Sequence, residues 1–152
     1  MSQKITNDQQ LREVLKSLPI ESQRRLGAGF VASVSHLSKH PAITQGIQAA
    51  SHTERTTNEL EIAYKNAKSL AVESYTACGR DADWSAQAEH FVAAAISACL
   101  APENQLKENH NPAWKAAMQA RMARNCEMIM NDRGEVDNEA NRQYAIAMEF
   151  LG

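Results

Sequence analysis

Leu11, Val14, Leu15 and Leu18 recur at helical spacing and form one apolar stripe, with Thr6 or Asn7 placed to cap the helix and Pro19 to end it. A second stripe, Leu26, Phe30, Val34 and Leu37, predicts a helix from about Ile20 that continues until Pro41 pushes the preceding residue out of the α region. A short helix follows over 41–50. Ser51 and Glu54 have the spacing of a capping box and are expected to open the longest helix, running to about Cys78. Its inward face is expected to carry Ile62, Ala63, Ala67, Leu70, Ala71, Ser74 and Cys78, and Gly79 suits the residue after its last turn.

The stretch Gly79-Arg-Asp-Ala-Asp reads as a turn, with Asp83 as the cap of a helix from Trp84 to Leu100 that packs through Ala88, Phe91, Val92, Ala95 and Cys99. Asn111 before Pro112 is a strong start signal, because proline costs nothing at the first helical position. The helix it opens, to about Met130, is expected to stack Trp114, Met118, Met122, Cys126 and Ile129. A last helix from about Asn138 sets Ala140, Tyr144, Ala147, Met148 and Leu151 on one face. Nowhere does period-two alternation with β-branched enrichment persist, so no sheet is expected. The pattern predicts one all-α domain over 1–152, a compact antiparallel bundle of six or seven helices. Faces rich in Ala and Gly let the helices approach closely, and aromatic residues, at 5% of the chain, are too few to hold them apart.

Composition narrows the function classes. A net charge of -2 with a pI near 6.2 offers no clustered basic surface for nucleic acid. The apolar run Phe91 to Ile96 is far short of the roughly 20 residues that span a bilayer, and Met1-Ser-Gln-Lys-Ile lacks the apolar core of a signal peptide. Cys78, Cys99 and Cys126 are odd in number and far apart, which suits reduced thiols packed as small apolar groups. A cytoplasmic protein without membrane or nucleic-acid partners is the expectation.

Candidate chemistry is sparse. A bundle di-iron site needs a carboxylate three residues before each of two histidines, and none of the five histidines has one. His36 and His40 are four apart and could share a helix face toward a metal, but His40 abuts Pro41 and no third ligand is evident, so no metal and no cofactor is expected. Leu26-Gly-Ala-Gly-Phe lacks the strand and the third glycine of a dinucleotide fingerprint and reads as close helix packing. Arg24 and Arg25 beside it read as a solvated basic turn. Cys126, with Arg124 near it, would need a histidine brought in by the fold to act as a nucleophile. No catalytic residue is assigned. The methionines at 118, 122, 128, 130 and 148 read mainly as gap fillers between helices. Arg80, Asp81, Asp83 and Trp84 combine a charged turn with an aromatic ring and are the candidate protein-contact residues.

Glu21-Ser-Gln-Arg-Arg-Leu at a helix start, Phe30-Val-Ala-Ser-Val, His40-Pro-Ala-Ile before a short helix, and two alanine-rich helices over 63–77 and 86–101 appear in that order. In this the chain resembles the alanine-rich all-helical immunity proteins of bacterial polymorphic-toxin systems, over about two thirds of its length. The resemblance implies a protein that binds and neutralises a toxin domain without catalysis, and it carries over no individual residues. The leading expectation is therefore a non-catalytic helical domain that binds another protein. Two rivals stay open: a ligand-binding or enzymatic bundle roofed by Trp84 or Trp114, and a structural homo-oligomer joined through an exposed alanine face.

Overall fold

The computed structural model describes residues 4–52, 55–78, 84–103, 106, 111–130 and 139–152, with side chains except at 75–78. Among them are seven α-helices, α1 (Asp8–Ser17), α2 (Ile20–Ala32), α3 (Pro41–Ser51), α4 (Thr57–Cys78), α5 (Trp84–Leu100), α6 (Pro112–Met130) and α7 (Glu139–Leu151), and a 3-10 turn at Ser35–Leu37. No strand occurs among the described residues. The fold is a compact all-α bundle.

Two apolar clusters share two helices. In the first, α5 is surrounded by α2, α3, α4 and α6, and its Val92, Ala93, Ala95, Ile96, Cys99 and Leu100 are buried. In the second, Ile5 and Leu11, Val14 and Leu15 of α1 meet Leu26, Phe30, Ala113, Ala117 and Ala147. Helix α2 serves both, through Ala28 and Val31 on one side and Leu26 and Phe30 on the other. Helix α6 does the same with Ala116, Ala120 and Ala123 against Ala113 and Ala117. An element buried on both sides must be slender, and alanine lets it be. A close approach of α2 to both α5 and α6 is at Gly27, where a Cβ would stand 2.6 Å from Cys99 Sγ and 3.3 Å from Ala113 Cα. The Gly-x-Gly stretch is thus a helix-packing device.

Several helix starts follow their local chemistry. Asn7 caps α1, its Oδ1 accepting from the Gln10 amide at 2.9 Å, and Asn111 caps α6, its Oδ1 accepting from the Trp114 amide at 3.0 Å. The cap of α4 differs from expectation. Ser51 is the last residue of α3, Glu54 lies outside the described residues, and Thr56 performs the task by accepting from the Glu59 amide at 3.0 Å. The second helix also stops early, at Ala32, instead of running toward Pro41. The Ser33 carbonyl, which a continuing helix would bond to Leu37, is taken by Arg124 Nη2 at 3.0 Å, and the Leu37 amide turns to Val34.

Two faces, on α6 and α7, are rotated from the expected ones, and the α4 face is the expected one apart from its edge. On α6 the alanines face inward and Met122 and Ile129 face outward, because the slot between α2 and α5 has no room for long side chains. On α7 the buried line is Glu139, Gln143 and Ala147, while Ala140, Tyr144 and Met148 are only half-buried. On α4, Ile62 points outward whereas Ala63, Ala67, Leu70 and Ser74 point in. Phe91 is half-buried, and the Cys78 side chain lies outside the description.

The Gly27 contact predicts the response to added volume. Gly27→Ala should destabilise by about 1–3 kcal/mol in urea unfolding, since Cys99 has little room to retreat. Gly29→Ala, whose Cβ meets only the Ile146 Cγ2 methyl at 3.3 Å, should be near neutral. Cys99→Ala placed on Gly27→Ala should recover part of the loss, and a strictly additive double variant would contradict this packing. The Cys99 thiol is enclosed and burial pushes its pKa up to about 12. In native protein it should resist iodoacetamide, reacting only on unfolding; alkylation at a free-thiol rate would show that this face of α5 is open.

Candidate functional site

The outer side of α6 is an apolar strip between charged margins. With its alanines committed inward, the helix exposes Met122 (45%), Ile129 (52%) and Met130 (42%), with Met118 and Trp114 half-buried along the same side. From Trp114 to Ile129 the strip covers roughly 22 Å at the α-helical rise. Of the five residues expected to be core on this helix, Cys126 is buried, Trp114 and Met118 are half-buried against the second cluster, and Met122 and Ile129 are at the surface.

Two arginines one turn apart hold α6 in place. Arg121 grips Asp8 of α1 with both terminal nitrogens, at 3.0 and 2.7 Å, while its Nε donates to Gln143 Oε1 of α7 at 2.8 Å. The Tyr144 hydroxyl donates to the same Asp8 at 2.7 Å, and Gln143 Nε2 donates to the Ala117 carbonyl at 2.9 Å. The Arg121 hydrogen bond holds Asp8 below the ordinary carboxylate range despite partial burial. Burial, reinforced by the Asp8 hydrogen bond, raises the Tyr144 hydroxyl. One turn on, Arg124 donates from Nε to Glu139 Oε2 at 3.0 Å and pairs with Glu127. Ser33 Oγ donates to the other oxygen of Glu139 at 2.6 Å, and His36 Nε2 lies 2.6 Å from Glu127 Oε2. Burial acts to raise the Glu127 pKa, but hydrogen bonds from His36 and Arg124 bring it below the ordinary value.

At its amino-terminal end the strip opens into a cleft of about 690 Å³ between α1 and α6, lined by Asp8, Arg12, Lys16, Gln23, Asn111 and Trp114. Arg12 stands 5.1 Å and Arg121 5.7 Å from the Trp114 ring centroid, cation–π distances that hold the indole in place. The arrangement offers an aromatic and methionine surface with arginines at its edge, a composition enriched in protein interfaces.

Of the residues marked from the sequence as contacts, Trp84 begins α5 and is 37% exposed, whereas Arg80, Asp81 and Asp83 lie outside the described residues. His36 and His40 do not share a helix face: His36 is in the 3-10 turn, and His40 Nδ1 accepts from the Ala42 amide at 3.1 Å as the cap of α3. Among the described residues no three His, Cys, Asp or Glu side chains cluster as metal ligands. Among the described residues no helix is long and apolar enough to cross a membrane. Arg24, expected in a solvated turn, is instead 2% exposed. A signal existed for it, since Arg24 precedes Gly27, Ala28 and Val31 by three, four and seven positions and so shares their face.

The clamp on Asp8 sets a pH dependence. Because the folded pKa lies below the unfolded value near 3.8, its contribution is present above that value and is lost as pH falls through the folded pKa. Asp8→Asn should therefore lower the melting temperature at neutral pH, with the gap from the parent narrowing in acid as pH falls through the lowered folded pKa. A gap that stays constant with pH would exclude the ion pair as its source.

Comparison with known proteins finds no family model, no curated protein and no solved structure that matches this chain.

Proposed function

We propose that the chain is a non-catalytic domain that binds another protein through the outer face of α6, and that the partner is a bacterial toxin domain which it neutralises in the cytoplasm. The single observation behind this reading is the exposed strip of Met122, Ile129 and Met130, leading through Met118 to Trp114. Exposed apolar side chains are common singly, but a run of them on one helix with polar margins is what an interface needs. Methionine adds compliance, since its unbranched, polarisable side chain can refit to a partner surface. The toxin as partner rests on the sequence resemblance to the helical immunity proteins.

A second copy of this chain is the competing occupant of the strip. The alanines of α6 at 113, 116, 117, 120 and 123 are all buried. On α6 a self-associating form would have to use the methionines and Ile129.

The reading predicts a polymorphic-toxin gene beside this one in its host, and the test is a binding measurement against that toxin domain. Met122→Glu and Ile129→Glu, both outside the core, should leave the circular dichroism spectrum and melting temperature unchanged and weaken binding at least about ten-fold, a loss of about 1.4 kcal/mol. Sedimentation of the parent should give a monomer at micromolar concentration. Unchanged toxin binding by both variants would refute the α6 face, and a dimer dissolved by either variant would favour the second copy.

A further inference from the structure

The margins of the α6 strip carry cations that the fold does not use. Arg12 and Lys16, one turn apart on α1, line the cleft at the amino-terminal end of the strip, and both are exposed. Among the described residues Arg12 has no hydrogen bond or ion pair and rests only on the Trp114 ring, and the Lys16 ammonium has no partner. Lys115, the one exposed charged residue of α6, is likewise unpaired among the described residues. It precedes Met118 and Met122 by three and seven positions and so stands on their side of the helix.

Helices α1 and α6 hold three carboxylates, and two of them are engaged. Asp8 accepts from both terminal nitrogens of Arg121 and from Tyr144. Glu127 is half-buried and pairs with Arg124 and His36. Only Glu13, exposed in the cleft, is left to face Arg12, Lys16 and Lys115. The strip is therefore bordered by a local excess of positive charge in a chain whose net charge is -2. Cations so placed attract carboxylates and repel a basic surface. An arginine resting on an indole can take a carboxylate without leaving the ring, since its donors lie in the guanidinium plane and not on its faces.

We propose that the partner docks on α6 through an acidic segment of its chain, with apolar side chains along Trp114, Met118, Met122 and Ile129 and carboxylates over Arg12, Lys16 and Lys115. This rests on the reading of the α6 face as the binding surface and adds the chemistry of what it binds. The strip is one side chain wide, and the exposed Asn125 lies within it between Met122 and Ile129. That suits a protein segment, which offers hydrogen bonds as well as apolar groups, better than a bilayer, which takes a broad apolar face.

Three synthetic peptides, titrated against the full chain by fluorescence anisotropy, test the proposal, each about 16 residues long to match the strip at the α-helical rise. They share a leucine and alanine face and differ only in carrying Glu, Gln or Lys at the flanking positions. At about 0.05 M salt the Glu peptide should bind saturably at micromolar concentration, about ten-fold tighter than the Gln peptide, with the Lys peptide weakest; about 0.5 M salt should close the gap. Lys115→Glu, in the first turn of α6 where an acid suits the helix dipole, should keep the parent's melting temperature, weaken the Glu peptide and strengthen the Lys peptide. Arg12→Gln combined with Lys16→Gln should erase the Glu peptide's advantage. Met122→Glu, read with the neutral Gln peptide, separates the two levels of the claim. Gln-peptide binding unaffected by it would refute the α6 face itself, whereas a loss there with no preference among the three peptides for the parent would overturn the acidic segment alone. No saturable Glu-peptide binding below about a millimolar, or tighter binding to phosphatidylserine vesicles than to the Glu peptide, would also overturn it.

Discussion

The approach of α6 to α2 and α5 is the constraint on which the rest of the molecule depends. Gly27 leaves no space for even a methyl group between Cys99 and the Ala113 backbone, and five α6 alanines continue the same close packing. Such packing gains dispersion contacts along the whole helix at the expense of any large side chain on the inward face. The long residues of α6 must go elsewhere, and the only direction left is outward. The exposed methionine and isoleucine strip is thus a consequence of a slender interior.

Packing of small residues sets distance well but resists sliding poorly, and the two arginines of α6 supply what the alanines lack. Arg121 ties the helix to α1 and α7 through Asp8 and Gln143, and Arg124 ties it to the end of α2 and the start of α7 through Ser33 and Glu139. Each uses directional bonds that a shift of one residue would break. Because Arg124, Glu139 and Gln143 are buried, removing one partner would strand the other, so these groups specify the register of α7 as well as its position.

How much of this could be read from the chain follows from the same physics. The all-α class and the spans of α1, α3, α5, α6 and α7 were legible, since the apolar spacing marks them and Asn7, Pro41 and Asn111-Pro112 punctuate three of them locally. The faces were less so. A reading that ranks side chains by hydrophobicity placed Met122 and Ile129 inward and treated Arg24 as solvated, because alanine contributes little to such a ranking even where it is the only residue that fits. It also passed over Glu139 and Gln143, although both lie on the helical spacing of Ala147. The early end of α2 was hidden for another reason: it depends on Arg124, 91 positions away, claiming the Ser33 carbonyl. Of the four contact residues marked in the chain, Trp84 is at the surface and the other three fall outside the described residues, while the α6 strip emerged only once its alanines were seen to face in.

A strip exposed because its helix is packed through alanine is available for a partner at no cost to the core, which is the link between fold and the proposed binding role. The most direct measurement is methionine oxidation by dilute hydrogen peroxide, mapped by mass spectrometry on the folded chain. With α6 oriented as described, Met122 and Met130 oxidise nearly as fast as in unfolded protein, and Met118 and Met148 lag behind them. Protection of Met122 in monomeric protein would mean that the methionine face is turned inward and that the alanine-packed arrangement of α6 is wrong.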